Sequence, residues 1–165
     1  MTSSLHLKNL LAWNEKAMTE RIILGWREWV TLPDLHIGHI KAKIDTGART
    51  SALHAFTVEA FNEKGKKRVK FGIHPLQKHT HEEVFCVADV KDERIVTDSG
   101  GHKEKRYVIE TPVKIGDAHW AIEMTLTNRE NMGFRMLLGR TAMESRFLVK
   151  PDASYLLGEP IKARK

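Results

Sequence analysis

The sequence predicts a mostly β domain built from many short, largely antiparallel strands. Apolar residues recur at every second position in several segments, turn signals containing glycine separate those segments at close spacing, and a single short stretch near the end of that run of strands reads as helix. Such a pattern implies a barrel or a sandwich.

The first twenty residues stand apart, with Leu7, Leu10, Leu11 and Met18 spaced to share one helical face. From residue 21 onward the period is two. Ile40, Ala42 and Ile44 alternate with Lys41 and Lys43, the mark of a strand with one buried face. Val69, Phe71 and Ile73 alternate with Arg68, Lys70 and Gly72, and a hairpin turn at Glu63-Lys64-Gly65-Lys66 joins that strand to Phe56-Thr57-Val58. A further strand is expected around Val84 to Val90, with Ser99-Gly100-Gly101 as the breaker after it. Tyr107, Ile109, Thr111, Val113 and Ile115 lead into a Gly116-Asp117 turn. Trp120, Ile122, Met124 and Leu126 follow, with His119, Glu123, Thr125 and Thr127 on the other face. Met136-Leu137-Leu138-Gly139 then enters a short helix at Arg140-Thr141-Ala142-Met143-Glu144. The chain therefore divides into an N-terminal extension (1–20, with helical character), a β domain (21–155) and a loose, flexible tail (156–165).

With 165 residues, the chain supports one domain with a real core. No apolar run is long enough to cross a bilayer, and the N-terminus lacks the basic start and unbroken apolar run of a signal peptide. The single cysteine, Cys86, offers neither an internal disulfide nor a cysteine zinc site, so the expected compartment is the cytoplasm. A formal charge of +6 favours acidic partners, either nucleic acid or acidic peptide, and equally serves plain solubility.

The sharpest chemical feature is Lys43-Ile44-Asp45-Thr46-Gly47-Ala48, where an apolar-faced strand runs into Asp-Thr-Gly. Asp45 is the candidate catalytic residue. Gly47 permits a tight turn whose amides can donate to the carboxylate, and Thr46 has a hydroxyl placed to bind a neighbouring loop. An Asp-x-Gly sequence is also a common ordinary turn. Far downstream, the apolar Leu137-Leu138 and Gly139 lead into Arg140 and the helix.

These two motifs, in this order, resemble the retropepsin type of aspartic protease. The run from Ile40 to His54, together with Thr127-Asn128-Arg129, Met132 and Met136-Leu137-Leu138-Gly139-Arg140, resembles a family of retropepsin-like aspartic peptidases related to RimB. That family long carried the label of an ATP-dependent zinc protease, and its members are often encoded beside RimK-type glutamate ligases. The resemblance covers Ile22 to Tyr155; Lys150-Pro151 departs from it, since an acidic residue is expected before the proline. It implies a closed β-barrel with one short C-terminal helix, catalysis by Asp45, support of the loop by Thr46, Gly47, Ala48, Leu138 and Gly139, and no cofactor. Aspartic proteolysis needs two carboxylates sharing a proton, so one Asp-Thr-Gly per chain implies a homodimer about a twofold axis. Ala48 in place of a hydroxyl residue implies a less acidic pair working nearer neutrality.

The zinc label finds little support in the residues. Among nine histidines there is no His-Glu-x-x-His; His36 and His39 fall on opposite faces of an expected strand, and His79, His81 and Glu82 read as polar loop. No phosphate-cradling glycine loop is present for ATP. The expected substrate is a peptide or protein, with glutamate-rich tails favoured by the basic hairpin of Lys64, Lys66, Lys67, Arg68 and Lys70 and by Arg49 beside the loop; Arg106 and Arg140 are further substrate-binding candidates. The hairpins near Gly65 and Gly100 are both candidate flaps. Membrane partners are excluded, and little aromatic interleaving makes nucleic acid an unfavoured partner. A non-catalytic module binding acidic tails or RNA is the alternative, as is a monomer pairing Asp45 with Asp89 or Asp98.

Overall fold

A computed structural model describes residues 21–76, 80–98, 100–128 and 133–159. The expected N-terminal extension, His79, Ser99, Arg129, Met132 and residues 160–165 lie outside the described residues. The described chain is mostly β, as the alternation requires. Its strands are β1 (Ile22–Leu24), β2 (Arg27–Leu32), β3 (Ile37–Asp45), β4 (Ser51–His54), β5 (Thr57–Glu63), β6 (Lys66–Ile73), β7 (Val84–Asp89), β8 (Asp92–Thr97), β9 (Lys103–Ile115), β10 (Ala118–Thr127), β11 (Met136–Gly139) and β12 (Phe147–Val149). One short helix, α1 (Arg140–Met143), follows β11 directly.

The largest sheet orders its strands β10-β4-β11-β3-β2-β9-β8, with β9 pairing β10 as well. Strands β5-β6-β7 form a second sheet and β1-β12 a third. Inward residues at alternate positions fill the core: Val30 and Leu32 from β2, Ile40 and Ala42 from β3, Ile109 and Val113 from β9, and Met136 and Leu138 from β11 are all fully buried. Each large apolar side chain so buried contributes about 1.5–3 kcal/mol. No described helix is long and apolar enough to cross a membrane.

Both expected hairpins form. Glu63 pairs with Lys66 around Lys64 (φ 51°) and Gly65 (φ 79°), and Ile115 pairs with Ala118 around Gly116 (φ 57°). Consecutive positive φ values at Lys64 and Gly65 give the tight turn whose twist suits a hairpin.

Four local features differ from the sequence reading. Asp92–Thr97, which showed no clean alternation, is strand β8 because it pairs along β9 from Asp92↔Val108 to Thr97↔Lys103. Thr125 and Thr127 are buried, because β10 at this end pairs on one side with β4, and their hydroxyls bond to the Ser51 carbonyl and the Glu104 carboxylate. His36 lies outside the strand, in a left-handed conformation (φ 57°) after a 3-10 turn at Pro33–Leu35. Past Tyr155 the chain is anchored: the buried Glu28 carboxylate accepts hydrogen bonds from the Leu156 amide (3.0 Å) and the Leu157 amide (3.2 Å), as well as from Gly25 (2.7 Å).

Candidate functional site

Asp45 ends β3, and the sheet fixes where its side chain emerges. Strand β11 runs parallel to β3 with Gly139 opposite Asp45, and antiparallel to β4 on its other side. Ile44 and Leu138 are both buried, so the loop rests on packed apolar strands. One carboxylate oxygen, Oδ1, accepts the amides of Gly47 (3.0 Å) and Ala48 (3.2 Å), closing the turn as the Asp-Thr-Gly sequence predicts. The second oxygen makes no hydrogen bond among the described residues and Asp45 is half-buried, while Thr46 is exposed.

Gly139 is required by close approach. A Cβ there would lie 2.6 Å from the Thr50 carbonyl carbon and 2.8 Å from the Ser51 nitrogen. Its amide donates to Ser51 Oγ at 3.0 Å. The start of α1 then grips the loop: the Arg140 amide donates to the Ala48 carbonyl (2.7 Å), and the Thr141 amide (3.0 Å) and hydroxyl (2.9 Å) both donate to the Arg49 carbonyl. Arg49 and Arg140 are both exposed beside this latch. Arg140 has a loose pairing with Glu144 at 3.7 Å, and Arg49 has no carboxylate partner among the described residues.

Arg106 is placed differently. It is nearly buried, with Nε on Glu104 (2.9 Å) and a second nitrogen on Thr125 Oγ1 (3.4 Å). Thr125 donates onward to the Ser51 carbonyl (3.2 Å), so Arg106 braces the framework behind Gly139 rather than presenting a cation to solvent. Sequence reasoning missed Ser51, Thr125 and Glu104, since nothing in a lone hydroxyl or glutamate signals a buried relay.

Two of the five hairpin cations are held by carboxylates. Lys67 pairs with Glu93 at 2.7 Å, Arg68 with Asp89 (3.0 Å) and Glu63 (3.4 Å), and Lys70 lies 5.9 Å from the Phe85 ring centre. Asp89 is thus held by Arg68, and Asp98 accepts the His102 amide of its own turn (2.9 Å). Among the described residues no group of three His, Cys, Asp or Glu side chains is placed to hold a metal. His39 lies edge-on to Trp29, 5.3 Å between ring centres.

The model of the RimB-like family, described as "Retropepsin-like aspartic endopeptidase RimB", matches residues 23–160. The chain belongs to the RimB-like family. Curated relatives include two proteins named "Probable alpha-L-glutamate ligase". The one from Shewanella pealeana is 44% identical over 139 residues, covering 84% of this chain and 30% of the relative. The one from Desulfotalea psychrophila is 45% identical over 140 residues, covering 85% of this chain and 30% of the relative. The chain thus spans about 30% of the length of the curated relatives it matches. A solved structure of a protein of unknown function from Legionella pneumophila, Lpg0085, is similar with a TM-score of 0.68 and 26% identity, covering 82% of this chain and 98% of that one.

The relatives' names correct the expected activity. A ligase joins what a peptidase separates, and the curated relatives are named for glutamate ligation. The expectation of an endopeptidase hydrolysing peptide bonds between two Asp45 carboxylates, and the hydrolase and protease class with it, is therefore withdrawn. The family description and the relatives' names are both those of enzymes and differ in class. The physical lesson is that a strand-borne Asp-Thr-Gly turn specifies a rigidly held carboxylate, and a held carboxylate does not by itself fix a reaction.

Proposed function

We propose that this chain is the glutamate-chain-holding unit of an α-L-glutamate ligase system, receiving a glutamate-bearing polypeptide at the Asp45 loop. The observation that carries this reading is the latch between loop and helix. Three hydrogen bonds tie Ala48 and Arg49 to Arg140 and Thr141, fixing the backbones of two exposed arginines next to the turn that carries one half-buried carboxylate. Arginine forks match carboxylates in geometry as well as charge, so a pair of them suits the repeated side chains of a glutamate chain. Asp45 Oδ2 supplies the complementary acceptor for an amine or amide N–H of the same ligand. The ligating chemistry itself falls to the remainder of such proteins, since this chain carries no phosphate-cradling glycine loop.

The architecture supports the finer fold reading as well. Pairings run β10-β4-β11-β3-β2-β9 and return to β10 through the β9–β10 ladder, the circuit of a closed barrel.

Isothermal titration with oligoglutamate peptides at low salt tests the proposal. Wild type is expected to bind, and Arg49→Ala combined with Arg140→Ala to weaken binding about tenfold or more, as lost charge-assisted bonds of roughly 1.5–3 kcal/mol each require. Asp45→Asn is expected to change affinity by less than about threefold, which corresponds to roughly 0.6 kcal/mol. Absence of binding by the wild type, or undiminished binding by the double variant, sinks the proposal.

A further inference from the structure

The outer face of β2 and β3 is a ladder of cations and aromatic rings that the Asp45 loop does not use. Alternation puts Glu28 and Val30 inward and Arg27 and Trp29 outward on β2, and sends His39, Lys41 and Lys43 outward on β3. Cross-strand register sets Arg27 opposite Lys43 and Trp29 opposite Lys41. The Arg27 guanidinium lies 4.5 Å from the Trp26 ring centre and 4.9 Å from that of Tyr155, and Lys41 Nζ lies 5.2 Å from Trp29. Trp29 and Tyr155 stack with centres 5.9 Å apart and planes 28° apart.

Two further observations mark this ladder as more than a solvated strand face. Tyr155 is held in the left-handed region (φ 54°), where a bulky side chain is an outlier. The fold keeps it there: its amide donates to the Arg27 carbonyl (3.0 Å), and the chain just beyond is pinned by Glu28. Strain of this kind persists only where the surroundings over-determine it. In addition, Arg27, Lys41 and Lys43 have no carboxylate partner among the described residues, whereas Lys67, Arg68 and Arg94 on other strands each have one. Glu28, the carboxylate nearest in sequence, is buried on the opposite face, and Asp45 and Asp152 are in no ion pair among the described residues, while Trp29, Asp117 and Glu159 share the lining of an open cleft of about 660 Å³.

We propose that this β2–β3 face is a binding site for single-stranded nucleic acid, with phosphates on Arg27, Lys41 and Lys43 and a base added to the Trp29–Tyr155 stack. Unpaired cations alone would suit any polyanion. Stacked aromatic rings between them select a ligand with flat faces, which an oligoglutamate chain lacks. Arg27 to Thr31 spans only about 13 Å, so the site is short and its affinity modest.

Fluorescence anisotropy with labelled single-stranded RNA and DNA oligonucleotides of one sequence tests this on the full chain. Binding of either is expected, with log K falling against log salt at a slope of about −2, as three phosphate contacts on a single strand give. RNA preference would assign a role to the 2′-hydroxyl, and equal binding would assign readout to base and phosphate alone; both support the site. Trp29→Ala is expected to weaken binding about tenfold, as loss of one stacked base requires. Lys41→Ala with Lys43→Ala, two side chains on the solvent side of β3, is expected to flatten the salt slope by about 1.4 while leaving the circular dichroism spectrum unchanged. Lys67→Ala on the hairpin is expected to change nothing. No binding at low salt, equal binding of a duplex, displacement by oligoglutamate of matched charge, or full affinity in the folded lysine double variant would each overturn the proposal.

Discussion

Two basic regions of this molecule, the β5–β6 hairpin and the outer face of β2–β3, look alike in composition and differ in what surrounds their charges. On the hairpin, Lys67 reaches Glu93 on β8, and Arg68 is shared between Asp89 on β7 and Glu63 on β5. On β2–β3, Arg27 and Lys41 meet aromatic rings instead, and Lys43 has no carboxylate partner among the described residues. The hairpin carries the denser cluster in sequence, yet its strands bring acids alongside it. A run of lysines reports charge content, whereas cross-strand neighbours decide whether that charge is available to a partner.

The comparison breaks most sharply at Glu28. This carboxylate is fully buried and accepts three backbone amides, two of them from the segment that positions Tyr155. Glu28→Ala leaves those donors unsatisfied and is expected to cost about 3 kcal/mol or more in urea denaturation. A loss under about 1 kcal/mol would show that the ladder is held by something else.

A smaller effect is expected in the hairpin sheet. A Cβ at Gly72 would lie 2.5 Å from Phe56 Cζ and 3.0 Å from Phe85 Cε1. Gly72→Ala is expected to cost about 1–3 kcal/mol by overpacking, and would show that aromatic packing holds this sheet. An unchanged midpoint would return that role to its ion pairs.

The smallest effect concerns those pairs. The Lys67 hydrogen bond holds the Glu93 carboxyl below its ordinary value, and the Arg94 side chain does the same, foremost among its neighbours, for Asp92 and Glu123. Carboxyls with lowered folded values add stability above their unfolded values and lose it as pH falls through the lowered ones. A slight loss of stability on acidification from pH 5 toward pH 3, abolished by high salt, is therefore expected in thermal melts. Salt-insensitive acid unfolding would shift attention to buried groups.

Much of the fold was legible. Ile40, Ala42 and Ile44 declare their buried face by period alone, and Lys64-Gly65 and Gly116-Asp117 declare their turns. Strand β8 was not legible, because it is an edge of its sheet with Ile95 72% exposed and Arg94 paired outward, so burial imposed no alternation on it. At the candidate site, Asp45, Gly47 and Ala48 form the expected turn, and Leu138 and Gly139 lie beneath it. Arg106 sits instead in a buried brace, since its partners Glu104 and Thr125 come from β9 and β10 and no local pattern joins them.

The sequence by itself determined the strands, their hairpins and the Asp45 turn, because these follow from local periodicity and from hydrogen bonds spanning two or three residues. The tertiary structure decided which cations remain available, why Tyr155 accepts a left-handed backbone, and that Arg140 and Thr141 are tied to Ala48 and Arg49 just after the Asp45 turn. Each of those depends on contacts between segments distant in the chain, where the neighbours that set charge, strain and burial arrive only once the sheets have assembled.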